Sequence, residues 1–364
     1  MLRSPLDTKP GDWKYVSEGG ATAVFSYIGP ADPPFDGTVL RLRKAPRVAA
    51  DHDDPVIYQE RCTSRLISPV HLPRLESVLL DKEWVQRLII LHDGLRPVAR
   101  RSKDGIDATH GRGVLATDLV GGDWIAVEIK PKWGFLPSGE YLSPETRPVK
   151  TKTCRYCMHS YLRAAKGEIQ ATNYCPLDLF SGEEKRVVQA ISSLWDAWKL
   201  NDGEINNLKV FVRGSFIKPS EAPSMFADGV VQSIDVKEEF ISALLTPLLE
   251  TTVLKRISYL QRKLDPFDIE GLSKLWRSTA EEGTSSLFTE PTMDEWEEFV
   301  TIFLNSGTIN SKPSPSHLRQ DRTVAKRNLI EYASSTWIAR AYYGWRSGSR
   351  WTDKLCKDFW SLDM

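Results

Sequence analysis

Alternating apolar and polar residues predict β-structure at the start of the chain. Residues 13–29, WKYVSEGGATAVFSYIG, predict a strand, a glycine-rich turn and a second strand rich in β-branched and aromatic residues. In FDGTVLRLRKA, which follows, Asp36 and Gly37 predict a turn and residues 38–43 predict a third strand. We therefore expect three antiparallel strands in this part of the chain.

The pattern changes along the rest of the chain. Residues 114–119 and 124–129 predict two buried strands joined by Gly121 and Gly122. Beyond Pro137 the apolar residues recur at the helical period, apart from a short strand within NNLKVFVRG. Helices are predicted within residues 153–167 (ended by Gly167), 183–201, 237–265 and 292–307. One face of the second helix carries the apolar residues Val187, Val188, Ile191, Leu194, Trp195 and Trp198.

Length and charge bound the possible architecture. The chain has 364 residues, which is long for one hydrophobic core, so two lobes are predicted. We expect an α+β fold with a β-rich N-lobe over residues 1–125, a mainly helical C-lobe over residues 126–320 and a tail over residues 321–364. The net charge is zero, so no overall field attracts nucleic acid or a membrane, and any anion site must be a local cluster of cations.

The cysteines predict reduced thiols. Their number, five, is odd, and the N-terminal segment lacks the apolar core of a signal peptide, which favours a cytosolic or nuclear location. Cys154 and Cys157, with His159 nearby, raise the alternative of a zinc site. Structural zinc needs four ligands, usually two pairs, and Cys175 is the one other cysteine nearby. We therefore predict that Cys154 and Cys157 are metal-free.

Two features of the predicted N-terminal strands suit a polyphosphate. Gly19 and Gly20 can adopt backbone angles that other residues avoid, and would let main-chain N–H groups approach a phosphate. In an alternating strand Arg41 and Arg43 share one face, beside this loop. A plain hairpin turn and a solvated strand face would explain the same residues without any ligand.

The stretch VEIKPKWGFLP places charges at the end of a buried strand. In an extended strand Glu128, Lys130 and Lys132 project to one side, and Pro131 between the lysines marks an edge or a strand end. Buried charges are costly unless partners or a ligand compensate them. Because lysine is suited to phosphate, we interpret this stretch as an anion site rather than a solvated strand.

A second cationic group is predicted on the helix within residues 153–167. Arg155, His159 and Arg163 follow one another at four-residue spacing and share one helical face. Such a stripe repels itself unless an anion lies along it.

These segments together resemble a known family. EIKPKWGFLP, CRYCMHSYLRAAKG, YCPLDLFSG and NNLKVFVRG resemble the inositol-pentakisphosphate 2-kinases, in a fungal-like form, and the E-x-K-P-K motif is that family's hallmark. The resemblance runs in order over residues 13–214 and is diffuse from there to about residue 318. It implies a two-lobed fold related to protein kinases and inositol-polyphosphate kinases, in which the N-lobe holds ATP and the C-lobe holds the inositol phosphate. The implied reaction is ATP-dependent phosphorylation of inositol 1,3,4,5,6-pentakisphosphate at the 2-position, giving inositol hexakisphosphate, with Mg²⁺ on the nucleotide.

The resemblance also implies nucleotide-binding residues. Gly19, Gly20 and Ala21 would cover the phosphates of ATP. Arg41 would contact ATP, and Asp118 falls near the hinge that meets adenine.

For the inositol phosphate, the implied residues are more numerous. Within the motif of Glu128, Lys130, Pro131 and Lys132, the two lysines would reach the transferring phosphate and the inositol phosphates. The further residues implied to bind the inositol phosphates are Arg155, His159, Arg163, Asn207 and, from the N-lobe, either Arg100 or Arg101.

The chain departs from the family's pattern near its C-terminus. Two aspartate motifs, which in the family carry the catalytic aspartate and a metal-binding aspartate, have no match after residue 320. Asp235, two residues before Lys237, is the first substitute to test, although it comes early in the order. An altered or truncated C-terminus, from an alternative exon or a frameshifted gene model, would explain the change.

Two hypotheses follow for the function. One is an active kinase, and the other is a relative that binds inositol polyphosphate or ATP without efficient transfer. A nucleic-acid module is disfavoured by the zero net charge and by the lack of a base-stacking motif. We expect a monomer with no membrane partner.

Overall fold

The computed structural model has an α+β fold that divides into two units. It describes residues 4–45, 54–122, 124–167, 172–222, 236–265, 267–280, 291–306, 337–343 and 356–362. The first unit comprises Met1–Val127, Val210–Ile217 and Tyr342–Met364, and the second comprises Glu128–Lys209 and Lys218–Ala341. The assignment of residues 1–125 to ATP, 126–320 to inositol phosphate and 321–364 to a tail stays a prediction.

An antiparallel sheet of five strands forms the centre of the first unit. Its order is β1-β2-β3-β5-β4, and the strands are β1 Trp13–Glu18, β2 Thr22–Tyr27, β3 Thr38–Arg43, β4 Leu75–Leu79 and β5 Arg112–Thr117. Phe25 lies opposite Tyr15 on one side and Leu40 on the other, and Leu40 lies opposite Leu115. The prediction of three antiparallel N-terminal strands is thus confirmed.

The core of this unit explains the register. Phe25 and Leu40 are fully buried, and they pack in one cluster with Trp13, Phe35 and Leu88. A one-residue slip of β3 would bring its arginines into this cluster, so burial fixes the register. The helices of this unit are α1 Pro55–Tyr58, continued by a π-helical turn Gln59–Thr63, then α2 Ser64–Leu66, α3 Lys82–His92 and α4 Val98–Arg101.

A second set of strands includes the segments where the chain passes from one unit to the other. The strands are β6 Ile125–Ile129, β7 Leu208–Val212, β8 Ser215–Phe216, β9 Trp337–Tyr343 and β10 Cys356–Leu362, in the order β10-β9-β6-β7-β8. The strand predicted at 114–119 is observed as β5, at 112–117. It ends there because the Asp118 carboxylate accepts the N–H groups of Val120 and Gly121 and turns the chain.

Helices account for most of the described residues of the second unit. They are α5 Arg147–Lys150, α6 Arg155–Ala165, α7 Pro176–Leu179, α8 Glu184–Leu200, α9 Val236–Glu250, α10 Val253–Leu264, α11 Asp268–Ala280 and α12 Met293–Ser306. α6 is followed by Gly167, whose φ of 70° confirms the predicted helix stop. Among the described residues, no helix combines the length and apolar character required to span a membrane.

Two helix predictions need correction. On α8, Val188 is only partly buried, and Ala190 is buried on the core face instead. The helix predicted over 237–265 is observed as two helices, α9 and α10, because the helical conformation is interrupted at Thr251 and Thr252. The Thr251 hydroxyl accepts the N–H of Val253, the first residue of α10.

Candidate active site

The glycine-rich turn joins β1 to β2. The Gly19 N–H donates to the Thr22 carbonyl at 2.8 Å, and a Cβ added at Gly20 would meet no atom within 4 Å. Neither glycine has a positive φ, so the expectation that they adopt unusual backbone angles is wrong for this structure. The open space over Gly20 is what allows close approach to this backbone.

A buried ionic cluster lies directly beneath this turn. The Glu18 carboxylate pairs with the Lys44 ammonium and accepts two hydrogen bonds from Arg96, at 3.0 and 3.2 Å. The three side chains are between 1% and 3% exposed. Burial opposes ionisation of Glu18, but hydrogen bonds from Arg96 and Lys44 outweigh it and lower the pKa of the carboxyl.

Lys44 connects this cluster to the turn. Its ammonium also donates to the Gly19 carbonyl at 2.9 Å, and its backbone N–H donates to the Ala21 carbonyl at 2.9 Å. The turn is therefore held at both ends by one residue. No motif suggested Lys44, although it directly follows the arginine strand β3.

The two candidate arginines on α4 differ in burial and in their effect on β1. Burial and then the charge of Glu18 raise the pKa of Tyr15 above its usual range, and the charges of Arg96 and Arg100 oppose this rise. Arg100 thus acts on β1 electrostatically, and it is half-buried, whereas Arg101 is exposed. That either of them contacts a substrate phosphate stays a prediction.

The remaining predicted nucleotide residues lie on β3 and after β5. Arg41 is half-buried, between Val24 and Val114 on the neighbouring strands, and burial alternates over residues 40–43 of β3 as predicted. Asp118 is buried, and its carboxylate shapes the turn after β5. This turn contributes to an apolar cluster formed by Leu119, Val120, Ala126 and Phe211, with Val16 and Trp124 packed against it.

The K-P-K segment, residues 130–134, begins where β6 ends. β6 stops at Ile129, as Pro131 predicted, and Lys132 has a φ of 65°. The expectation that Glu128, Lys130 and Lys132 project from one side of a strand is therefore wrong, since alternation does not extend through a left-handed residue. A non-glycine residue in this conformation costs about 1 kcal/mol or more and persists only where its surroundings impose it.

Side chains from several elements impose the conformation of the K-P-K segment. Asn207 accepts the Lys130 N–H through its backbone carbonyl and donates its amide to the Lys130 carbonyl at 3.0 Å. Tyr174 donates its hydroxyl to the Pro131 carbonyl at 2.9 Å. Gln261 donates to the Lys132 carbonyl at 3.1 Å and accepts the Gly134 N–H at 2.9 Å.

The last two residues of this segment are also fixed. The Phe180 ring lies so close to Gly134 that an added Cβ would be 2.4 Å from it, which explains the glycine. Ser258 donates its hydroxyl to the Gly134 carbonyl at 2.6 Å. The Arg155 guanidinium lies over the Trp133 ring, 5.0 Å from its centroid.

The two lysines of the motif influence each other. Burial, and after it the positive charge of Lys130, lower the pKa of Lys132 to about 8. The folded chain thus holds an ammonium group where it is poorly solvated and near a second cation. An anion bound here would relieve both effects.

Arg155 has a different environment from the one its sequence pattern predicted. Its guanidinium donates to Asp265 at 3.0 Å and to Asp268 at 2.5 Å, and Asp268 also accepts from Lys150 at 2.9 Å. Burial opposes ionisation of Asp268, but the bonds from Lys150 and Arg155 outweigh it and lower its pKa. The expectation that this arginine demands an external anion is wrong, because carboxylates of the chain already compensate it.

The other predicted substrate residues lie along α6 and at the start of β7. His159 is exposed on α6 and Arg163 is half-buried. Asn207 is buried, and its amide oxygen accepts the Tyr156 hydroxyl at 3.2 Å. Asp235 lies outside the described residues, so its predicted catalytic role stays untested.

Three thiols meet at the start of α6. The sulfur atoms of Cys154 and Cys157 are 3.1 Å apart, and that of Cys175 is 3.8 Å from Cys154. Hydrogen bonds from the other two thiols lower the pKa of Cys175. The fold thus brings Cys175, the other cysteine nearby in the sequence, to the Cys154–Cys157 pair. Within the described part of the chain these are three possible ligands for a thiophilic ion such as zinc, and the predicted metal-free state stays a prediction.

Comparison with known proteins identifies the family. A family model described as inositol-pentakisphosphate 2-kinase matches residues 15–318. The chain belongs to the inositol-pentakisphosphate 2-kinase family. An inositol-pentakisphosphate 2-kinase of Cryptococcus neoformans var. neoformans is 34% identical over 351 residues, which cover 90% of this chain and 80% of the relative.

Relatives in plants and animals match over shorter stretches. The inositol-pentakisphosphate 2-kinase of Arabidopsis thaliana is 30% identical over 315 residues, covering 71% of this chain and 68% of its own length. The inositol-pentakisphosphate 2-kinase of Danio rerio is 30% identical over 228 residues, covering 57% of this chain and 44% of its own length. Membership of this family confirms the resemblance found in the sequence.

The first prediction concerns the support of the glycine-rich turn. We expect Lys44→Met to lower the free energy of unfolding by roughly 3 kcal/mol, because it removes one partner of a buried carboxylate. We also expect ATP affinity to fall about tenfold, because the Gly19 carbonyl loses its anchor. Denaturant unfolding and titration calorimetry measure the two effects. Lys14→Met, at an exposed lysine of β1, is the matched control, and an unchanged ATP affinity in folded Lys44→Met would exclude this anchoring role.

The second prediction concerns Lys132. The pKa of this lysine is about 8 in the folded chain and 10.5 when unperturbed, so the folded chain binds fewer protons between these values. The free energy of unfolding should therefore rise as pH rises through this window. At pH 7 we expect Lys132→Met to stabilise the ligand-free protein by about 1 to 3 kcal/mol and to weaken inositol pentakisphosphate binding.

Unfolding curves at pH 7 and pH 10.5, with calorimetric titration of inositol pentakisphosphate, measure both effects. The stability difference between Lys132→Met and the unmodified protein should shrink toward the higher pH. A variant that is less stable at pH 7 and binds the ligand normally would contradict the environment described for this lysine.

Proposed function

We propose that this chain is an ATP-dependent kinase that phosphorylates inositol 1,3,4,5,6-pentakisphosphate at the 2-position and releases inositol hexakisphosphate. The observation that carries the proposal is the K-P-K segment of a chain in this family. Its backbone is fixed by the side chains of Asn207, Tyr174 and Gln261, and its two lysine side chains lie close enough for one to lower the pKa of the other.

A highly phosphorylated substrate explains this arrangement. Five phosphate groups bring a large negative charge, which several converging cations can compensate. The proposed contacts are Lys130 and Lys132 from the segment, with His159 and Arg163 along α6. Lys130 reaches the phosphate being transferred, where it stabilises the charge that develops on the oxygens.

Two residues act chiefly through others. Arg155 lies between two carboxylates and over Trp133, so its main part is to join α6 to the K-P-K segment and to the start of α11. Asn207 holds both backbone groups of Lys130 and thereby orients that lysine. Both residues thus support the proposed inositol phosphate site through their contacts with the K-P-K segment.

The nucleotide is assigned to the first unit. The turn Gly19–Ala21 covers the phosphates, Arg41 contacts them, and the apolar cluster that includes Val16 and Val120 receives the adenine ring. Transfer requires that the two ligands be held with their reacting oxygens aligned, which supplies much of the rate acceleration in such reactions.

Mg²⁺ is the ion that usually accompanies ATP in kinases, and it prefers oxygen ligands. Among the described residues, the one cluster of three potential ligands is the group of cysteine thiols, which does not suit Mg²⁺. Asp235 lies outside this part of the chain. We therefore assign no described residue to Mg²⁺.

The alternative of a relative that binds without transfer is less favoured, because the matching relatives are named as kinases. Transfer of labelled phosphate from ATP separates the two. We expect inositol hexakisphosphate as the product, and Lys130→Met to lower kcat/KM about a hundredfold. Lys152→Met, at an exposed lysine before α6, is the matched control and should change little.

Two outcomes would contradict the proposal. Tight binding of inositol pentakisphosphate with no labelled product would indicate the non-transferring relative. The 2-hydroxyl is the one free hydroxyl of this substrate, so a labelled product that carries a diphosphate group would indicate transfer to an existing phosphate instead.

A further inference from the structure

One buried glutamine bridges two backbone groups of the K-P-K segment. Gln261 is 4% exposed, and its amide reaches both sides of the left-handed turn at Lys132. A backbone carbonyl can only accept and an N–H can only donate, so the amide nitrogen must face Lys132 and the amide oxygen must face Gly134. The two bonds therefore fix one orientation of the glutamine and one conformation of the turn.

The position of Gln261 on its helix is unusual for a purely structural residue. The buried face of α10 is formed by Val253, Leu254, Ile257, Leu260 and Gln261. A glutamine on an otherwise apolar face must find hydrogen-bond partners, and here both partners belong to the segment that carries the motif lysines. The neighbouring Ser258 adds a third bond to the same segment.

We propose that Gln261 is a positioning residue for the reaction: it holds Lys132 in its left-handed conformation and thereby directs the Lys132 ammonium toward the phosphates of the inositol substrate. This inference rests on the proposed function of the K-P-K segment. Without the bridge, Lys132 relaxes to an extended conformation, since a left-handed non-glycine residue is unfavourable unless it is held. The ammonium then leaves the position near Lys130.

Gln261→Leu tests this inference, because leucine preserves most of the volume and removes both hydrogen bonds. We expect the KM for inositol pentakisphosphate to rise about tenfold, as the loss of two hydrogen bonds implies, while the KM for ATP stays within about twofold. Leu260→Ala is the matched control: it affects the same buried face of α10 but no bond to the segment. It should lower stability and leave both KM values near those of the unmodified protein.

The pH profile gives a readout that a merely structural role would not move. In the unmodified protein the affinity for inositol pentakisphosphate should fall as pH rises through about 8, where Lys132 loses its proton. In Gln261→Leu this inflection should move to higher pH, because a released Lys132 is better solvated. Leu260→Ala should keep the inflection of the unmodified protein.

A second variant covers the case in which Gln261→Leu does not fold. Gln261→Glu keeps an acceptor for the Gly134 N–H and, when ionised, has no donor for the Lys132 carbonyl, so the same separation of the two KM values is expected at pH 8. If the KM for inositol pentakisphosphate in the folded variant equals that of Leu260→Ala, the inference is wrong. If Lys132→Met also leaves this KM unchanged, the proposed function of the segment fails as well, which distinguishes the two failures.

Discussion

The structure of the proposed substrate site depends on hydrogen bonds from side chains to the backbone of residues 130–134. These residues follow a buried strand and form no regular structure of their own, yet their carbonyl and N–H groups still need partners. Asn207, Tyr174, Ser258 and Gln261 supply them. Because these residues come from α10 and from the chain just before β7 and α7, all within the second unit, the segment forms only when that unit is folded.

The buried charged groups described in the two units are of two kinds. Glu18 with Lys44 and Arg96, and Arg155 with Asp265 and Asp268, are groups in which the chain compensates its own buried charge. Such groups fix backbone positions beneath the glycine-rich turn and behind the K-P-K segment. Lys132 differs, since burial and a neighbouring cation lower its pKa. Its environment becomes favourable when an anion binds, which is a general reason why perturbed pKa values mark functional sites.

Sequence patterns predicted the regular elements well and the site only in part. The strands at Trp13–Glu18, Thr22–Tyr27 and Thr38–Arg43 follow from alternation and from the turns between them. Helix α3 was not predicted, although the sequence carries two signals for it: Asp81 caps its start, and Trp84, Val85 and Leu88 form its buried face. The left-handed Lys132 could not be predicted, because the groups that impose it, from Tyr174 to Gln261, are distant in the sequence. Gln261 did leave a signal, a polar residue within an apolar helical stripe.

The ionisation of Lys132 tests this account most directly. Nuclear magnetic resonance of side-chain-labelled lysine, with the signal assigned from its loss in Lys132→Met, gives the pKa with and without inositol pentakisphosphate. We expect a pKa near 8 in the free protein and a clear rise when the ligand binds. A pKa near 10.5 in the free protein, or one that does not change on binding, would contradict it.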